Sequence, residues 1–270
     1  MANFFATSCR VNSRCSWCRL TLPSSGCSFG TTLKSNVRRH KLPRPSLTCY
    51  ACDAAKTSRE HAPPKCLFPE KDELPLGVDL RKNLIRVPSC DAHNSEKSTD
   101  DEFLMWVFSV QSQGNHYREL TFHTKAIRAF RERPLSLLAL LEKPVQVSLL
   151  AADGRLLPSA AIEIDFSRFE RCMVQIAKAL YFKETGAKWR SSCTVFTNLF
   201  HGMRGTGAAG LNDIHHQAIS VAQSAMAQLP SKGQNPEIFV YRFAELRTNL
   251  KVLLMSYYGH IQVLVKYGDA

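Results

Sequence analysis

No aspartate or glutamate occurs before Asp53, whereas eight lysines and arginines do. The whole chain has 270 residues, with Lys+Arg 35 against Asp+Glu 23. Beyond residue 52 the excess shrinks to +4. The basic balance therefore belongs mostly to the N-terminal segment and does not make the remainder a nucleic-acid binder. Long apolar runs are also missing. The stretch around Leu135–Leu141 is far below the ~20 residues of a membrane-spanning helix, which excludes that class. No sustained heptad or Gly-X-Y period occurs, so coiled coil and collagen are excluded. The glycine-rich Gly202–Gly210 has no Lys-Ser/Thr after it and no good strand before it, and is expected to be a flexible loop rather than a phosphate cradle. No Ser-His-Asp set or second metal cluster stands out in the C-terminal half.

Residues 1–46 are rich in Ser, Arg and Cys. That acid-free composition is the one organellar transit peptides have, but a disordered basic arm and an over-extended translation start are together the favoured readings. The segment is set aside from the fold, and a cytoplasmic location is expected. At ~100–200 residues per domain, the rest suits one or two folded units with a real core.

The ten cysteines fall into groups. Cys9, Cys15, Cys18 and Cys27 lie in the arm. Cys66, Cys172 and Cys193 are isolated and are expected to be small buried apolar residues. Cys49-Tyr-Ala-Cys52 and Cys90-Asp-Ala-His93 are the informative pair, with 37 residues between Cys52 and Cys90. Tetrahedral zinc takes four N/S ligands, and two short knuckles supply two each. A redox Cys49/Cys52 pair would instead need a helix directly after the first cysteine. Asp53-Ala-Ala-Lys-Thr-Ser reads as a turn. Structural zinc at Cys49, Cys52, Cys90 and His93 is the expectation.

Between the knuckles, a strand is expected to end at Glu60-His61. A β-prone run Leu84-Ile85-Arg86-Val87 follows, stopped by Pro88. Thr99–Glu102 has the form of a capping box ahead of the apolar Phe103–Phe108. The outline is a ββα unit clasped by zinc.

The ordered series Cys-x2-Cys, Glu60-His61-x-Pro63, Asn83-Leu84, Cys90-x2-His93-Asn94 and then a lysine resembles the HNH endonucleases, the zinc-clasped branch of the ββα-metal (treble-clef) nucleases. Glu60-His-x-Pro-Pro-Lys-x-Leu-Phe-Pro69 and Asn83-Leu-Ile-x-Val-Pro-Ser-Cys90 are similar to a largely uncharacterised subgroup of them, over about residues 47–105. Lys178–Gly186 carries a weaker likeness. The resemblance implies metal-dependent hydrolysis of DNA phosphodiesters with His61 as general base, Asn83 orienting it, and Glu60 and Asn94 holding a catalytic divalent ion such as Mg²⁺. Asn94 stands where many members have His, which suits an oxygen-preferring ion. Lys97 and Lys65 would contact phosphate. The rival is a non-catalytic zinc-stapled module that binds nucleic acid or protein. A third placement puts the activity in the C-terminal half.

For residues 111–270 an α+β unit of unassigned role with antiparallel strands is expected. Apolar residues at 117, 120, 127 and 130 suggest one helical face over Asn115–Arg133. Its basic side chains could line a nucleic-acid groove, although an ordinary solvated face is the favoured reading. Val145–Leu150 and Ala161–Phe166 suggest a hairpin turned by Asp153-Gly154. Phe169, Met173, Ile176 and Leu180 form the stripe of a helix over Phe169–Glu184 stopped by Gly186. A helix is expected over Asp213–Leu229, on which adjacent His215 and His216 cannot share a face. Strands are expected at Glu237–Phe243, Lys251–Tyr257 and Gln262–Tyr267, with a turn at Gly259-His260. The oligomeric state is not readable.

Overall fold

The computed structural model describes residues 48–95, 98–111, 114–132, 145–150, 153–161, 164–199, 208–247 and 250–268. The basic arm, Lys97 and residues 202–207 lie outside them, while Ala208–Gly210, expected to belong to a loop, open a helix instead. The fold is α+β, and among the described residues the strands pair into antiparallel sheets. No described helix is long and apolar enough to cross a membrane.

Strand β1 (Ser58–His61) pairs with β2 (Arg86–Ser89). Pro88 was expected to stop the second strand but sits inside it, opposite Arg59. The Pro88 carbonyl faces away from β1 and accepts from the Tyr50 amide at 2.8 Å. Its ring nitrogen lies on that same outer edge, where no ladder bond is lost. Helices α1 (Asp91–Ser95) and α2 (Ser98–Ser109) follow. Thr99–Glu102 lies within α2 rather than capping it. The whole run Phe103–Ser109 is buried, as suits a helix without a polar face.

Helix α3 (His116–Thr121) is capped by Asn115, whose side chain accepts from the Tyr117 and Arg118 amides. A π-turn over Phe122–Ala126 then leads into α4 (Ile127–Glu132). The π-turn rotates the later residues off the phase of a regular helix. The expected face is thereby broken: Phe130 is exposed while Thr121, Lys125 and Ala126 are buried. Two of the basic side chains assigned to a solvated face also turn inward. Arg118 donates to the Ser109 carbonyl at 2.8 Å, and Lys125 to the carbonyls of Cys66 and Phe68.

Strands β3 (Val145–Leu150) and β4 (Leu156–Ala161) form a hairpin. Its second strand starts directly after Asp153-Gly154, earlier than expected, because an aspartate-bonded turn closes the loop (Arg155 amide to Asp153 Oδ1, 3.1 Å). Helix α5 (Phe166–Thr185) ends at Gly186, whose φ of 71° is the left-handed stop that glycine adopts without strain. Phe169, Met173, Ile176 and Leu180 are fully buried, as their spacing indicates.

The main sheet has the order β5-β9-β8-β7-β6, with β5 (Cys193–Thr197), β6 (Lys232–Asn235), β7 (Phe239–Arg247), β8 (Leu250–Tyr257) and β9 (Ile261–Tyr267). Period-two alternation splits its two faces. Leu253, Met255, Tyr257, Val263, Val265 and Tyr267 join the α5 stripe in the larger core. Val252, Leu254 and Leu264 pack under α6 (Ala208–Ala225) through Ile219, Ala222 and Met226. The larger core is continuous with Cys49, Tyr50, Val87 and Phe108, so the hairpin, α2 and the main sheet share one interior.

Candidate metal centre

The first knuckle is a tight loop. Thr48 bridges Ala55, the Cys49 amide donates to the Ala54 carbonyl at 2.9 Å, and the Tyr50 amide ties the loop to β2. The chain directly after Cys49 bends through residues 50–54 rather than turning into a helix, so it lacks the geometry of a redox pair. The second knuckle is the junction of β2 and α1. Amides of His93 and Asn94 both donate to the Cys90 carbonyl (3.2 and 3.1 Å), which turns the imidazole back toward the cysteines.

The ligand atoms of Cys49, Cys52, Cys90 and His93 all lie within 4.8 Å of one another, so the group could hold a metal ion. His93 Nδ1 is 3.7, 3.6 and 3.2 Å from the sulfurs of Cys49, Cys52 and Cys90, and the Cys52 and Cys90 sulfurs are 3.7 Å apart. A regular tetrahedron with zinc–sulfur bonds of ~2.3 Å and zinc–nitrogen bonds of ~2.0 Å has edges of ~3.5–3.8 Å. Three of these four separations fall in that range and the Cys90–His93 one is shorter, so the group is consistent with a structural zinc site in which Nδ1 is the imidazole donor. The cysteines are free thiols. Burial resists ionisation of Cys49, but hydrogen bonding, including the Ala51 amide to its sulfur at 3.4 Å, brings the thiol below its ordinary pKa.

The other expected site residues separate by face. Glu60 points inward and is 3% exposed. Its carboxylate oxygens accept from the Tyr50 hydroxyl and the Ser89 hydroxyl, both at 3.3 Å. Burial and the Glu60 charge push the Tyr50 phenol far above its ordinary range. Glu60 is thus part of the packing beneath the knuckles. His61 alternates to the opposite face of β1, across from Arg86, whose Nε donates to His61 Nε2 at 3.0 Å. That imidazole then carries its own proton on Nδ1. Asn83 is exposed in the turn before β2 with φ 57°. Asn94 is exposed on α1, which packs against β1. Lys65 is exposed in a short 3-10 turn (Lys65–Leu67).

Two cations near the knuckles have no local sequence signal. Lys188 and Arg190 reach Asp53 from beyond α5, and their hydrogen bonds, Arg190's foremost, hold the Asp53 carboxyl down at about 2. Arg86 is likewise missed by sequence reasoning, because its partner is fixed only by strand register. Of the isolated cysteines, Cys172 is fully buried, and burial pushes the half-buried Cys193 thiol up to about 11.

No family model matches the chain, and no curated protein or solved structure was found similar to it.

Proposed function

We propose that about residues 47–110 form an HNH-like, zinc-clasped treble-clef module that hydrolyses nucleic-acid phosphodiesters, DNA in the first instance, with His61 as the base that activates water. One observation carries this proposal. Four soft ligands from two distant knuckles converge on one point. That convergence accompanies the packing of α1, which bears Asn94, against β1, whose last residue is His61. The outward face of the hairpin also carries Arg59 and Arg86 beside His61, which suits a phosphate charge.

His61 must present an unprotonated nitrogen to water. Nε2 is engaged by Arg86, so substrate has to draw that guanidinium away before Nε2 can take a proton. A phosphodiester is the acceptor that would do so. Asn94 fits as a ligand to a hard divalent cation, whereas the inward Glu60 does not. Such a cation, when bound, acts as a Lewis acid on the phosphate. Lys65 is free to reach a neighbouring phosphate from its exposed turn.

Cleavage of plasmid DNA by the purified chain with Mg²⁺ tests the proposal. His61→Ala is expected to lose ~10²–10⁴-fold in rate, the usual contribution of a general base. Background nicking that is equal in both proteins and insensitive to chelation sinks it. A second reading, binding without cleavage, is favoured by the inward Glu60 and the occupied Nε2. It predicts DNA binding by fluorescence anisotropy that survives His61→Ala and is lost in Cys90→Ser.

A further inference from the structure

We infer that Lys188 and Arg190 are positioning residues of the metal centre, and that metal occupancy is coupled through them to the seating of the α5–β5 connection. Lys188 Nζ donates to three acceptors of the first knuckle: Thr48 Oγ1 at 2.9 Å, the Cys52 carbonyl at 2.6 Å and Asp53 Oδ1 at 3.0 Å. Its side chain is 15% exposed. Arg190 clamps both Asp53 carboxylate oxygens at 2.7 Å. All these acceptors sit within one residue of Cys49 or Cys52.

The donors are anchored from the other side. Trp189, between them, packs edge-on against Tyr181 of α5 and Tyr267 of β9, and its indole N–H donates to the Ser192 carbonyl at 3.1 Å. The backbone of residues 188–190 is therefore held from two sides, by Trp189 on the main core and by its two cations on the metal loop, so loss of the second anchorage loosens it. Three thiolates and a neutral imidazole around a divalent ion leave one net negative charge. A lysine bonded to the carbonyl of one ligating residue offsets that charge. It also holds the loop in the shape that aims Cys49 and Cys52 at the ion, as outer-shell partners of metal ligands do. The coupling is reciprocal: the loaded loop presents three acceptors to Lys188, and the emptied loop releases them. The inference rests on the metal site alone and not on phosphodiester cleavage.

The full-length chain loaded with zinc provides the test, read by metal release to a chromogenic chelator. Lys188→Ala and Asp53→Asn are each expected to speed release ~10–100-fold, the usual effect of removing an outer-shell partner. Lys188→Arg is expected to restore most of it. With Co²⁺ in place of zinc, the visible spectrum of Asp53→Asn should match wild type, since its ligands are untouched. Trypsin reads the reciprocal arm, because it cuts after lysine and arginine: chelation should raise cleavage after Lys188 and Arg190 tenfold or more. If Lys188→Ala does not fold, Asp53→Asn carries the test. Release rates within twofold of wild type, cleavage indifferent to zinc, or a wild-type chain that takes up no zinc would each overturn the inference. His61→Ala should move none of these readouts, so failure of the nuclease proposal is seen separately.

Discussion

The β1–β2 hairpin with its knuckles and the sheet beneath α5 are held by different physics. In the hairpin region the buried residues include the polar Tyr50, Glu60 and Ser89 and the candidate metal ligands Cys49 and Cys90, beside apolar Ala62, Leu67 and Val87. In the sheet they are Leu253, Met255, Val263, Val265 and tyrosines whose hydroxyls end on α5, such as Tyr267 to the Ala177 carbonyl at 2.7 Å. A two-stranded ribbon of four-residue strands cannot stand alone in water. The five-stranded sheet can bury both its faces. The first region adds to its share of the apolar core a cluster of four side chains that could hold a metal ion, whereas the sheet rests on apolar burial alone.

The largest effect should come from taking the metal away. Structural zinc in small modules contributes apparent binding free energies of ~10–16 kcal/mol. Chelation, or Cys90→Ser, is expected to strip amide protection from residues 48–61 and 86–95 while β7, β8 and β9 keep theirs. Hydrogen exchange of the full chain reads both regions at once. Equal loss in the sheet would break the comparison, because it would make the shared core one cooperative unit.

The converse substitution is Ile176→Ala. The side chain is fully buried on the α5 stripe, and removing it should cost ~2–5 kcal/mol. Urea titration should show a lower midpoint with an unchanged slope. The zinc release rate of the folded protein should stay as in wild type. A faster release would show that the sheet reaches the metal by packing as well as through Lys188.

The same contrast decides what could be read from the sequence. The four residues that converge into a candidate metal site were readable because each pair sits on a local knuckle, and tetrahedral coordination would leave few ways to join two pairs. The α5 stripe and its Gly186 stop were readable because helix periodicity and glycine at a left-handed stop are local properties. Strands β7 to β9 announce themselves by alternating apolar residues. By contrast β5 is a short edge strand made by pairing with β9, far along the chain. Strand β6, Lys-Gly-Gln-Asn, has no apolar pattern. The π-turn at Phe122–Ala126 adds a residue to a turn, which no propensity reports. Pro88 stays in β2 because of which edge of the strand faces the knuckle. Glu60 and His61 were read together as neighbours in sequence, yet a strand sends neighbours to opposite faces. The pairing of Asp53 with Lys188 and Arg190 spans more than a hundred residues and exists only in the folded chain.

Alkaline pH sharpens the comparison further. Burial raises the phenols of Tyr257, Tyr258 and Tyr267 well above their ordinary value of 10. In the unfolded chain they lose protons near 10 while the fold retains them. Above pH 10 the unfolded state therefore binds fewer protons, and stability falls as pH rises. Each such tyrosine adds a slope of ~1.4 kcal/mol per pH unit. Tyrosinate absorbance and far-UV circular dichroism should change together above pH 10. Tyrosinate forming well before the circular dichroism changes would show that these rings reach water without unfolding.

The smallest effect is expected at Asn83, and it separates a turn residue from a chemical one. Its φ of 57° lies in the left-handed region, which glycine enters freely, asparagine tolerates and alanine pays ~1–2 kcal/mol to adopt. Asn83→Gly should therefore leave stability within ~0.5 kcal/mol of wild type, while Asn83→Ala should cost ~1 kcal/mol. Zinc content should be unchanged in both, because the turn lies outside the knuckles. With the backbone spared, cleavage by Asn83→Gly reads the amide alone. Wild-type cleavage would leave Asn83 a turn former, and a loss equal to that of Asn83→Ala would give its side chain the orienting role beside His61. A glycine variant as unstable as the alanine one would instead show that the amide, and not the backbone angle, holds the turn.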